Sequence, residues 1–93
     1  MGELDGLWNV KRTGGLLPPL LGVRKRISGT SGRTSVGPLP GVPFDVVGRE
    51  LRYCAPFRGF VDVLEPGGDG YRGRATFRGR QYGTFELRRV ARS

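Results

Sequence analysis

Histidine is absent from this 93-residue chain, and cysteine occurs once, as Cys54. Without histidine there is no Ser-His-Asp or Cys-His catalysis, and no histidine-ligated zinc, haem or non-haem iron. A lone cysteine excludes an internal disulfide framework and a cysteine-cluster metal site. No cofactor or metal is therefore expected. Lysine is scarce as well: Lys11 and Lys25 stand alone among 16 basic residues, the rest being arginine. Long apolar runs are missing. The longest nearly apolar stretch, Gly14 to Val23, is about half a membrane span and carries two prolines. The acidic start, Met1 to Gly6, lacks the apolar run of a secretory signal, so a soluble, cytoplasmic protein is expected.

What is present is charge, glycine and alternation. Sixteen basic against 8 acidic residues give a formal charge of +8. An arginine-, glycine- and proline-rich composition also suits a GC-rich bacterial genome, which lowers the weight of the charge as a sign of nucleic-acid binding. The 17 glycines recur too often for long helices, and no window holds a helical period.

Period-two alternation is the stronger signal. Leu4, Gly6, Trp8, Val10 and Arg12 share one face of a predicted strand over 4–13. Val23 to Thr30 follows, with Ser31-Gly32 as the expected turn into Arg33 to Val36. Residues 37–43, with three prolines, read as a loop. Phe44 to Val47 and Glu50 to Cys54 flank Gly48-Arg49, a pair suited to a type II′ hairpin. Further strands are predicted over Phe57 to Glu65, Tyr71 to Arg78 and Gln81 to Val90, with turns at 66–70 and at Gly79-Arg80. The expectation is one domain, 1–93: all-β, a small antiparallel up-and-down barrel of seven or eight short strands, with a turn of helix in 15–21. A sandwich is the other architecture for this pattern, but closure removes the exposed edges of so small a sheet. A barrel this short is also expected to close imperfectly, leaving an edge for pairing with a second copy as a homodimer.

Gly6-Leu7-Trp8 near the start, with Arg88-Arg89 in the last strand, resembles the lipocalin and wider calycin superfamily, which includes the fatty-acid-binding proteins. That resemblance implies that Gly6, Trp8 and Arg89 close one end of the barrel, the guanidinium lying over the indole, with Arg88 in solvent. It also implies non-catalytic binding of a small apolar or amphipathic ligand, lipids and acids included. If the Trp8 face is interior, Arg12 and Lys25 point inward near strand ends and must reach a rim or meet an anion. With Tyr53 and Tyr71 they form the expected ligand-binding set, receiving a carboxylate as the resemblance suggests. Leu16, Leu17, Leu20 and Leu21 make a stiff apolar loop, to serve as a lid or as a plug.

Two other classes stay open. Arg72, Arg74 and Arg78 line one face of a hairpin and suggest a basic barrel that binds nucleic acid. Tyr71 and Phe77 alternate to the opposite face, however, so no stacking platform lies beside those arginines. A structural or interaction module with a filled barrel is the other class. No nucleophile–base pair is visible, so an enzyme is not expected. Asp62 alternates with Phe60 and Leu64. If that face is inward it needs a partner, with Arg52 and Arg89 as candidates; otherwise Val61 and Val63 are the inward pair.

Overall fold

The computed structural model describes residues 3–15, 22–36 and 41–91. They form eight antiparallel strands: β1 (Gly6–Gly15), β2 (Val23–Ser28), β3 (Ser31–Val36), β4 (Val42–Val47), β5 (Glu50–Tyr53), β6 (Phe60–Gly67), β7 (Gly70–Phe77) and β8 (Arg80–Ala91). Each strand pairs with the next in sequence, and β8 returns to β1, giving a closed up-and-down barrel. The closing ladder runs from Leu7 opposite Ala91 to Gly15 opposite Gly83. Closure is complete among the described residues, so the imperfect seam expected to drive dimerisation is not there. A closed sheet leaves no unpaired backbone row for a second copy to extend.

The alternation seen in the sequence becomes inside and outside. Trp8 and Val10 of β1, Lys25 and Ile27 of β2, Asp62 and Leu64 of β6, and Phe85 and Leu87 of β8 face inward and are buried, while their neighbours Asn9, Arg26, Glu65 and Arg88 are exposed. Asp62, not the Val61–Val63 pair, is therefore the interior residue of its strand.

Several turns and strand ends differ from expectation, each for a local reason. The β2–β3 turn is Gly29-Thr30, closed by the Ser28–Ser31 pair, rather than Ser31-Gly32. Gly29 has φ +62° at the first central position, whereas Gly32 sits inside β3 opposite Phe44. A Cβ on Gly32 would come within 2.6 Å of the Phe44 ring, so this glycine serves packing and not turning. The β7–β8 turn is Arg78-Gly79, with φ of 50° and 84°, one residue earlier than the expected Gly79-Arg80. Two positive φ values are what a type I′ hairpin turn requires, and here arginine adopts the first of them.

Pro43, expected in a loop, lies in β4 opposite Arg33. It is the second residue of the strand, and its carbonyl accepts from the Cys54 amide at 3.1 Å. β6 starts at Phe60 and not Phe57, because Phe57 to Gly59 turn back on Cys54, with the Phe57 amide on the Cys54 carbonyl at 3.0 Å. The expected turn of helix and the four leucines at 16, 17, 20 and 21 lie outside the described residues. Among the described residues no helix is long and apolar enough to cross a membrane.

Candidate functional site

The two ends of the barrel interior differ in chemistry. At one end Trp8, Leu4, Ile27, Leu51, Leu64 and Leu87 form a packed apolar cluster. The Arg89 guanidinium lies over the indole, 4.2 Å from its centroid, and donates to the carbonyls of Asp5 and Glu3. The Trp8 Nε1–H donates to the Leu4 carbonyl at 2.8 Å. Gly6 is buried beside them in β1 at φ +134°, a conformation open to glycine. Arg88 is exposed.

Tyr71 belongs to this closed end. Its ring meets Trp8 edge-on at 5.5 Å, and its hydroxyl donates to Glu3 Oε2 at 2.6 Å. Arg49 pairs with the same carboxylate at 2.9 Å. Hydrogen bonds from Arg49 and Tyr71 hold the Glu3 carboxyl below the usual range, and burial together with the Glu3 bond pushes the Tyr71 phenol up.

The other end holds a cavity of about 580 Å³. Its wall is mainly apolar: Val10, Val23, Phe57, Phe60, Tyr82 and Phe85. Phe60 packs against Phe77 at 4.6 Å and Tyr82 at 6.1 Å, giving the cavity an aromatic border. Tyr82 reaches this position because β8 carries an irregularity where Ala75 pairs with Gly83 but Thr76 pairs with Gln81.

Four polar side chains share the same wall: Lys25, Thr34, Tyr53 and Asp62. Lys25 is 3% exposed, and its Nζ lies 2.7 Å from Thr34 Oγ1, 2.6 Å from the Tyr53 hydroxyl and 3.1 Å from Asp62 Oδ2. The Tyr53 hydroxyl donates to Asp62 Oδ2 at 2.9 Å and lies 3.0 Å from Thr34 Oγ1. The ammonium also sits 5.2 Å to 5.7 Å from the ring centroids of Tyr53, Phe44 and Phe85.

Burial acts to lower the Lys25 pKa, but the facing Tyr53 and Asp62 oxygens outweigh it, leaving Lys25 above the ordinary lysine value. Burial raises the Tyr53 phenol. At neutral pH the ammonium is thus charged, the phenol is intact, and the cluster pairs Lys25 with the Asp62 carboxylate.

No protein-family model, curated protein or solved structure gives a significant match to this chain. The site therefore rests on its own geometry.

The expected ligand set divides. Lys25 and Tyr53 come together at the cavity, whereas Tyr71 lies at the opposite, closed end. Arg12 is exposed, beside an irregularity in the β1–β8 ladder between Arg12 and Gly14, and its guanidinium donates to the Gly15 carbonyl at 2.6 Å. The partner of Asp62 is Lys25, and neither Arg52 nor Arg89: Arg52 is exposed on Glu50, and Arg89 is committed at the closed end.

Arg72, Arg74 and Arg78 are exposed, as the hairpin pattern suggested. Arg72 is flanked across the sheet by Glu65 and Glu86, which divide this basic face. Phe77 lies at the barrel rim with the Arg78 guanidinium 5.4 Å from its ring, and Tyr71 lies inside, so no aromatic row accompanies Arg72 and Arg74. Cys54 is half-buried.

Thr34, Asp62 and the aromatic wall were not picked out as ligand contacts. A signal for Thr34 did exist: once the β2–β3 turn is placed at Gly29-Thr30, Thr34 falls directly opposite Lys25.

Proposed function

We propose that the protein is a non-catalytic carrier or sensor of a small apolar or amphipathic molecule, held inside the barrel at the end away from Trp8. The observation that carries this reading is the cavity itself: about 580 Å³, walled by apolar and aromatic side chains, with one compact polar cluster. Small-molecule sites commonly combine such a volume with a few convergent polar groups. The closed end supports the same division of labour, because Trp8, Arg89 and the leucine cluster stabilise the barrel without lining the cavity.

The up-and-down topology and the Trp8–Arg89 stack are also what the resemblance to the calycin superfamily leads one to expect. Binding rather than catalysis is favoured because Lys25 is held protonated and Tyr53 unionised, so neither is an available nucleophile at neutral pH.

Equilibrium titration with the neutral fluorophore N-phenyl-1-naphthylamine tests the reading. A saturable rise in emission, at one probe per barrel, is expected. A titration with no saturable component would refute it.

A further inference from the structure

The polar cluster at the cavity wall has an uneven hydrogen-bonding balance, and that balance specifies a class of ligand. All three protons of the Lys25 ammonium have acceptors within the protein: Thr34 Oγ1, the Tyr53 hydroxyl and Asp62 Oδ2. The Tyr53 proton goes to Asp62 Oδ2, and the Thr34 hydroxyl has the Tyr53 oxygen within reach at 3.0 Å. Every donor of the cluster is spent.

The acceptors are not. Both interactions of Asp62 fall on Oδ2, and Oδ1 has no partner among the described residues. Nor is Oδ1 sealed away, since no fully buried side-chain nitrogen or oxygen among the described residues lacks a partner, and Asp62 lines the cavity. Oδ1 therefore opens onto the cavity as an acceptor with two unused lone pairs.

We propose that the cavity selects apolar molecules carrying a neutral hydrogen-bond donor, an alcohol or phenol hydroxyl, placed on Asp62 Oδ1, and rejects carboxylic acids. This inference rests on the reading of the cavity as a ligand site. A hydroxyl on a buried carboxylate makes a charge-assisted hydrogen bond, roughly twice as strong as a neutral one. An ionised acid brings a second negative charge beside Asp62 and finds no donor left to receive it. An alkylammonium meets Oδ1 but lies close to the Lys25 charge already bound to the same carboxylate. The expectation from sequence that Lys25 receives a ligand carboxylate is thereby reversed: Asp62 already occupies that place.

Displacement of bound N-phenyl-1-naphthylamine by 1-decanol, decanoate and decylammonium at neutral pH tests the inference. Decanol should displace the probe at a concentration at least about ten-fold below that needed for decanoate, as one charge-assisted hydrogen bond implies. The double variant Lys25→Met/Asp62→Leu should still bind the probe but narrow this preference, because it removes the Asp62 charge and frees the Tyr53 proton to donate. Should that variant fail to fold, Asp62→Asn serves instead: its amide presents N–H as well as oxygen to the cavity, so decanoate should gain on decanol. Decanoate matching decanol in the unaltered protein would overturn the inference, as would decylammonium binding tightest or a preference unchanged in the variants. Those results leave the cavity reading intact, because the probe is bound in each. Absence of probe binding refutes the cavity reading itself.

Discussion

A buried ammonium is an unusual core residue, and Lys25 is tolerated only because three oxygens surround it. Taking the Lys25–Asp62 pair out of water carries a desolvation penalty that its mutual attraction at best offsets, while removing one partner strands the other. Lys25→Met should therefore cost about 3–5 kcal/mol of unfolding free energy, by leaving Asp62 buried without its counter-charge. Lys25→Met/Asp62→Leu should recover most of that loss, and urea denaturation of the two variants checks both values. The same residue predicts an alkaline limit. The folded pKa of Lys25 lies above its unfolded value, so its contribution is complete below the ordinary lysine pKa and disappears as pH rises through the folded one. Tyr53 acts in the same direction, since burial raises its pKa and the unfolded chain ionises first. The urea midpoint should stay level from neutral pH to about pH 9 and fall above about pH 10, and more gently in the double variant. A midpoint that holds at pH 11 in the unaltered protein would contradict this account.

At the scale of elements, glycine sets the register of the sheet as much as the hydrophobic alternation does. Gly32 lies opposite Phe44 and Gly73 opposite Phe85, and in each pair the ring covers the glycine. A Cβ at Gly73 would meet the Phe85 ring at 2.2 Å, and Phe85 is itself 3% exposed. Gly73→Ala should thus destabilise by about 1–3 kcal/mol, through displacement of a packed ring, with thermal unfolding as the measurement. These pairs also explain which parts of the fold were legible. Alternation placed the strands and their faces, because Trp8, Val10, Tyr71 and Leu87 each repeat at period two on an inward face. The turn at Gly29-Thr30 was misplaced because glycine beside a polar residue marks a turn and a covered ring equally well, and only the partner strand distinguishes them. The turn at Arg78-Gly79 was set one residue late because arginine gives no sign of the positive φ it adopts there. The Trp8–Arg89 stack could be anticipated because Gly6-Leu7-Trp8 and the arginine of the last strand resemble the calycin pattern, which implies it. The Lys25–Asp62 pair could not, because β2 and β6 are not ladder neighbours and meet only across the interior of the closed barrel.

For the molecule as a whole, the decisive quantity is how much of the interior is filled. The two ends of the barrel are filled differently, and here the fully buried leucines gather at the Trp8 end: Leu4, Leu51 and Leu64 are each at most 3% exposed. Where β6, β7 and β8 cross the cavity wall, Asp62, Ala75 and Gly83 lie side by side in register, so the middle strand offers only a methyl group. Ala75→Leu discriminates a hollow barrel from a filled one. In a packed core, three added carbons force off-rotamer neighbours and cost about 1–3 kcal/mol. In a barrel with about 580 Å³ of space beside Ala75, the leucine enters that space, buries apolar area and should leave stability unchanged or slightly raised. The same substitution should weaken N-phenyl-1-naphthylamine binding at least about ten-fold, because the added volume is taken from the ligand. A variant that unfolds more readily and binds the probe normally would show that the interior beside Ala75 is filled, and that the probe binds elsewhere.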